Sequence, residues 1–243
     1  MPDSCLAVHL SNFVDLTEAE ERLLGDLEKE PASYSGGTEI YAEGEALDQL
    51  FIVNEGWLAS STMLVDGDRQ ILQLHYTGDL VGAAEVSLQN SFSTLTTLTN
   101  VTLCRFPRSE LGELFAKQPR LAALIYGMGM INNVILADRL KALGRTNAKA
   151  RIANLLMSII MQIRLMSGDG DISFDMPLTQ IEIADAVGLT PVHVSRVLGE
   201  LERQGIIERA SRRIQLCDEK RLSAIAQYDN RFSDLDTKWL PSA

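Results

Sequence analysis

Hydrophobic spacing along the chain changes period several times. In 13–30, FVDLTEAEERLLGDLEKE, apolar residues recur at helical spacing. Thr17 followed three residues later by Glu20 fits a capping box, and Pro31 closes the segment. From 34 to 107 the pattern shortens to LFIV (50–53), WLASSTMLV (57–65), QILQLHY (70–76) and STLTTLTNVTLCRF (93–106), separated by glycine-bearing turns. Asp66-Gly67 between two such runs predicts a hairpin, and turns every ~10 residues predict an antiparallel barrel or sandwich.

Helical spacing returns at 108. SELGELFAKQ predicts a short helix stopped near Pro119, and a long one follows from Arg120 to Leu143 with Gly144 as its C-cap. Leu121, Leu124, Met128, Ile131 and Ile135 step alternately by three and four, the spacing of a coiled-coil seam that next meets Asp138. Ile125, Leu136, Leu140 and Leu143 supply a second stripe. One helix with two apolar stripes needs two surfaces to pack against, so the first is read as a homodimer interface. Residues 146–166 form a further helix with Thr146 at its N-cap, and SGDGD (167–171) is a loop.

The pattern in LTQIEIADAVGLTPVHVSRVLGELERQGII (178–207) is the most specific. Thr179 and Glu182 form a second capping box, and Gly188 ends the first helix because glycine reaches a positive φ cheaply. Thr190 caps the next helix and Pro191 opens it, where a missing N–H costs nothing. Val194, Val197, Leu198 and Leu201 make the inward stripe. Val192, His193, Arg196 and Arg203 are left on the outward side, and Pro191 and Ser195 join the first three as candidates for DNA contact. Two short capped helices about a tight glycine turn are a helix-turn-helix, whose second helix enters a DNA major groove. Arg196 matches guanine O6 and N7 bidentately, Val192 and Pro191 suit a thymine methyl, and His193 a purine N7 or a phosphate. Gln180 and Thr190 suit phosphates. The competing fate of Arg196 is an ion pair with Glu200 one turn on, and that of His193 is plain solvation. GIIERASRRIQL (205–216) then reads as a small hairpin with Arg209, Arg212 and Arg213, a wing for phosphates or a solvated basic turn.

Composition bears on this reading through charge. The chain of 243 residues carries a net −11, which opposes DNA binding. Residues 1–144 hold 9 Lys+Arg against 20 Asp+Glu, whereas 145–217 hold 9 against 8 and 218–243 hold 4 against 5. The acid excess therefore lies outside the helix-turn-helix. A hydrophobic share of 46% is that of a globular protein. No uninterrupted apolar run reaches the ~18 residues of a membrane span, and MPDSCLAVHL lacks a basic n-region, so the cytoplasm is expected and no membrane partner. Cys5, Cys104 and Cys217 are far apart and form no metal spacing. HExxH, GxSxG, P-loop and GxGxxG patterns are absent, so no enzyme is expected.

EGEALDQLFIVNEGWL, TGDLVGAAEVSL, the long helix and the LTQIEIADAVGLTPVHVSRVLGELERQGII…RRIQL segment together resemble the Crp/Fnr superfamily of bacterial transcription regulators, over about residues 10–217. The resemblance implies an α+β chain: a cyclic-nucleotide-binding-like, jelly-roll-like β-roll at 1–118, a dimerisation helix at 119–144, a winged helix-turn-helix at 145–217 and an extension at 218–243. It also implies a homodimer on a two-fold-related duplex and contact with RNA polymerase; whether the β-roll takes a small-molecule effector is left open by the sequence.

The departures are informative. In cyclic-nucleotide-binding members a GE glutamate holds the ribose and an Arg-Ser pair neutralises the phosphate. Here Ala83 stands at that glutamate, in an effector stretch of Gly82, Ala83, Ala84 and Glu85, with Ser93-Thr94 at the Arg-Ser place, and no arginine lies between Arg69 and Arg105. A buried phosphate would lack its cation, so cAMP binding is not expected. Iron–sulfur members need four cysteines. A haem-based gas sensor would draw its axial ligand from His9, His75 or Cys5, and a constitutive regulator would need no ligand. No cofactor and no metal is assigned. Val192 stands where many relatives carry a glutamate, and valine accepts no hydrogen bond from cytosine N4, so the half-site should differ from the common family core.

Overall fold

The computed structural model describes residues 4–167, 172–233 and 235–242. The loop expected at SGDGD lies, from Gly168 to Asp171, outside the described residues. The chain divides into two compact units. The first holds the described residues up to Leu64, Ile71–Met130 and those after Asp234; the second holds Val65–Gln70 and Ile131–Ser233.

The first unit opens with two short helices, α1 (Cys5–Ser11) and α2 (Glu18–Asp26). The Thr17–Glu20 capping box is present, and Pro31 begins strand β1. α1 had no signal in the periodicity, being only two turns long, and is capped by Ser4. The strands are β1 (Pro31–Tyr34), β2 (Glu39–Tyr41), β3 (Gln49–Glu55), β4 (Leu58–Met63), β5 (Arg69–His75), β6 (Leu80–Val81), β7 (Thr94–Thr97) and β8 (Val101–Pro107). They form two four-stranded antiparallel sheets, β1-β8-β3-β6 and β2-β7-β4-β5. The run STLTTLTNVTLCRF is therefore two strands in different sheets, broken at 98–100.

Side-chain alternation explains why LFIV is apolar at every position. Phe51 and Val53 face the opposite sheet, where they meet Leu58, Leu95 and Tyr41. Leu50 and Ile52 face the other way, onto Leu6, Leu10, Leu24 and Leu111 of the helical layer. That layer includes α3 (Arg108–Lys117) and the start of α4 (Pro119–Arg145). Arg120 reaches back to Glu20 at 2.6 Å, a pair almost wholly withdrawn from solvent.

α4 runs through Gly144 to Arg145, so Gly144 is a helical residue and the expected C-cap is not there. By length and composition α4 could cross a membrane, with a mean hydropathy of 1.4 over its most apolar 18 residues. No uninterrupted apolar run spans it, as the sequence indicated: Gly127, Gly129, Asn132 and Asn133 interrupt the apolar residues without adding charge, so only the averaged hydropathy is high.

In the second unit, α5 (Ala148–Ser167) is the central helix, packing against α6 (Gln180–Val187), α7 (Pro191–Arg203) and α8 (Glu219–Ala226). The N-cap expected at Thr146 belongs to Asn147, whose Oδ1 accepts from the Ala150 amide at 3.0 Å. Thr146 instead donates its hydroxyl to the Ala142 carbonyl of α4. A three-stranded sheet ordered β10-β11-β9 completes the unit: β9 (Ser173–Asp175), β10 (Ile207–Ala210) and β11 (Arg213–Leu216). β9 is too short to have shown a period.

Candidate nucleic-acid interface

Local chemistry sets the two helices. Glu182 Oε2 accepts from the Thr179 amide at 2.7 Å while the Glu182 amide donates to Thr179 Oγ1 at 3.2 Å. Gly188 takes φ 63°, and the chain turns into α7 with Thr190 Oγ1 accepting from the His193 amide at 3.3 Å. The carbonyls left open at the end of α6 are filled from other helices. Arg139 donates to the Ala186 oxygen at 2.8 Å, and Arg151 reaches those of Val187 and Gly188 at 3.5 and 3.4 Å.

Val194, Val197, Leu198 and Leu201 are buried. Pro191, Val192, His193, Ser195 and Arg196 are exposed on the opposite side, Val192 with 78% of its surface open. Gln180, Pro191, Val192, Ser195 and Arg196 line one open depression of ≈ 470 Å³. The structure thus brings these residues to one surface.

The alternative fate of Arg196 does not occur. Glu200 accepts from Lys149 Nζ of α5 at 2.8 Å, and Lys149 also donates to Gln204 at 2.8 Å. The Lys149 hydrogen bond holds the Glu200 carboxyl below its ordinary range. Among the described residues Arg196 has no ion pair. Lys149 was missed in the sequence because it lies 51 positions from its partner.

The wing arginines differ in what they leave free. Arg209 is paired with Glu202 at 2.7 Å. Arg212 donates to the Met176 and Pro177 carbonyls at 3.3 and 2.8 Å, so much of its guanidinium is committed to backbone. Arg213 donates Nε to Ser173 Oγ at 2.6 Å and remains exposed. Ser211 turns the hairpin at φ 59°.

The stripe assigned to the dimer contact faces inward. Leu121 and Leu124 are 0% and 4% exposed, inside the core of the first unit, and Met128 packs on the same cluster. Ile131 and Ile135 are half-buried, and Asp138 is bound by Arg231 at 2.7 and 3.0 Å. This corrects the seam: Leu121 and Leu124 are spent within one chain. The opposite face carries Tyr126, Met130, Asn133, Ala137 and Leu140, all exposed and spaced by four, three, four and three. Tyr126 is 61% and Leu140 70% open.

In the effector stretch, Gly82 (φ 87°) leads into one 3-10 turn, Ala83–Glu85. Glu85 is buried and Oε1 accepts from Ser91 and Ser93 at 3.4 and 3.3 Å. Ala84 points to solvent, and Thr94 accepts from the Glu43 amide. The structure adds Ser91 and Tyr41, which the sequence did not single out. The buried Tyr41 hydroxyl lies beside Glu85, and burial first, then the charge and hydrogen bonding of Glu85, push its phenol well up. Arg108 reaches this loop from α3, but it donates to the carbonyls of Leu88 (3.0 Å) and Leu47. His75 is buried with Nε2 2.7 Å from Ser60 Oγ, and His9 is buried in α1; burial pushes both down to about 4. Cys5 lies against the Asn54 carbonyl at 3.5 Å. Among the described residues no group of three or more His, Cys, Asp and Glu is placed to hold a metal.

A winged helix-turn-helix following a two-sheet β-roll and a long helix defines a DNA-binding regulator. Residues 150–225 match the Crp-like helix-turn-helix domain, and 31–118 the cyclic nucleotide-binding domain. The chain is 30% identical to the transcriptional activator protein FnrL of Cereibacter sphaeroides, covering 74% of this chain and 73% of that one. It is 28% identical to electron transport regulator A of Shewanella oneidensis, covering 84% and 81%. The solved structure of FixK2 from Bradyrhizobium japonicum superposes with a TM-score of 0.72 at 27% identity, covering 81% of this chain and 96% of that one. The chain belongs to the Crp/Fnr family: it is a DNA-binding transcription regulator and not an enzyme.

Proposed function

We propose that this regulator binds a two-fold-related duplex as a homodimer, each α7 in a major groove, with Arg196 reading guanine. The observation that carries the reading is the Lys149–Glu200 pair at 2.8 Å, which occupies the acid one turn along α7 from Arg196. Val192 and Pro191 offer a methyl-contacting surface beside it, and His193 and Ser195 complete the edge. Gln180, Thr190, Arg212 and Arg213 contact phosphate, Arg213 with more of its guanidinium free. The dimer forms through the outward seam Tyr126–Met130–Asn133–Ala137–Leu140. The 3-4 spacing and the exposure of this face, apolar but for Asn133, support a second identical helix as its cover.

The β-roll responds to something other than a cyclic nucleotide. A carboxylate, Glu85, is buried in the stretch where a phosphate would need a cation, and serines are its hydrogen-bonding neighbours. Family membership supports contact with RNA polymerase and residence in the cytoplasm.

An unbiased duplex selection followed by a salt titration tests the reading. The expected result is a palindromic site whose affinity falls steeply with salt, through counterion release. Binding without sequence preference would refute it. Met130→Glu should give monomers that bind that site weakly; an unchanged sedimentation coefficient would reject the seam.

A further inference from the structure

The C-terminal extension had no role in the sequence and lies mostly beyond the matched helix-turn-helix domain, which ends at 225. Its last described stretch is anchored in the first unit. Leu240 packs against the core cluster that contains Leu121 and Leu124. Beside it, Trp239 lies on Gly127 of α4: a Cβ at Gly127 would stand 3.0 Å from Cζ2 and 3.5 Å from Cη2 of the indole. Glycine inside a helix costs about 1 kcal/mol relative to alanine. Here it makes room for the ring.

Gly127 lies at the border of the two faces of α4. Its outward neighbours one turn away are Ala123 and Met130, and Met130 belongs to the exposed seam. Trp239 nevertheless keeps 54% of its surface open. A large aromatic ring is thus placed by its edge at Gly127 and by the packed Leu240 next to it, and more than half of its surface stays open at the border of the helix face that carries Met130.

We propose that Trp239 is part of the dimer interface: the tail of each chain folds back on its own α4 and presents the indole to a second copy of the chain. This rests on the homodimer reading. The occupant is a second copy because the face that Trp239 borders carries heptad spacing over Tyr126–Leu140, which an identical helix satisfies by symmetry.

Two measurements on the full chain test this. Sedimentation over a concentration series compares wild type with Trp239→Ala, and Trp239→Phe serves as the conservative variant. The expected result is a dimer constant at least tenfold weaker for W239A and largely restored in W239F. In a Trp57→Phe chain Trp239 is the sole tryptophan, the protein having two. Its emission should move to shorter wavelength as concentration drives association. A wild-type dimer with W239A unaltered and the emission flat overturns the role of Trp239 and leaves the homodimer standing. A wild type monomeric at every concentration, with and without duplex, overturns both. A shift produced by phosphatidylcholine vesicles and not by concentration assigns the face to a lipid surface and overturns the proposal.

Discussion

Replacing Arg196 by alanine removes one guanidinium and leaves α7 otherwise intact, because the side chain is exposed and contributes nothing to the Val194–Leu201 stripe. A bidentate contact to guanine discriminates by about 1–3 kcal/mol per base pair. If Arg196 were paired with Glu200 in the free protein, breaking that i,i+4 pair on binding would take back about 0.3–0.5 kcal/mol. Lys149 holds Glu200 instead, so that deduction does not apply. Each half-site should therefore lose about 5- to 150-fold in preference for its guanine. Arg196→Lys should keep most of the phosphate-driven affinity and lose most of the preference, because an ammonium lacks the planar fork. The assay is competition binding at fixed salt, with the selected duplex against duplexes changed at single positions in both half-sites. The A and K variants should both become indifferent at one symmetric pair of positions and stay selective elsewhere. Selectivity retained at every position, or lost evenly across all of them, would refute the guanine assignment. Lys149→Ala supplies a second check: the freed Glu200 should weaken wild-type binding about twofold, and should have no such effect once Arg196 is alanine.

Arg213→Ala should lower the slope of log affinity against log salt by about one, uniformly across sequences, while Arg212→Ala should do less because that guanidinium is tied to Met176 and Pro177; equal slopes in all three proteins would count against the wing. Arg120→Met strands the buried Glu20 carboxylate and should cost the first unit about 3 kcal/mol, read by urea denaturation, where no change in midpoint would contradict the pairing. The Glu20 carboxyl is raised by burial, but the Thr17 amide and Arg120 outweigh this and lower it, so that contribution should fade as pH drops through the carboxylate range. His75 and His9 are neutral in the folded chain, pushed from 6.5 down to about 4 by burial. Above 6.5 their contribution is complete. Between 6.5 and 4 the unfolded chain takes up protons that the folded one refuses, and each histidine should remove up to about 3 kcal/mol. His75→Gln should flatten the fall in melting temperature over that range, and an unaltered profile would show that another group governs it.

Much of the DNA-facing segment was legible because its signals are local. Caps, a proline at the first helical position, a glycine at the turn and an i, i+3, i+4, i+7 stripe all act within a few residues, and the structure has each where the spacing put it. The β-roll was legible as a class for the same reason: Asp66-Gly67 and its sister turns mark strand ends. Its pairing was not, since 93–106 reads as one run and only the two sheets separate Thr97 from Val101. Helix ends at 145 and 147 were also misplaced, because Asn147 and Thr146 are both competent caps and the packing chose between them.

By itself the sequence determined that α4 has apolar residues on more than one side, that an arginine stands on the outward face of α7, and that the effector stretch lacks its arginine. The tertiary structure decided the rest. Helical spacing is blind to which stripe meets the β-roll, so Leu121 and Leu124 went inward and Tyr126, Met130 and Leu140 outward only once the strands had supplied a surface. The freedom of Arg196 likewise depends on Lys149, and the surroundings of Glu85 on Tyr41, partners far away along the chain. Charge and hydrogen-bond pairing are settled by distance in space, and a linear pattern records that distance only within a turn or two.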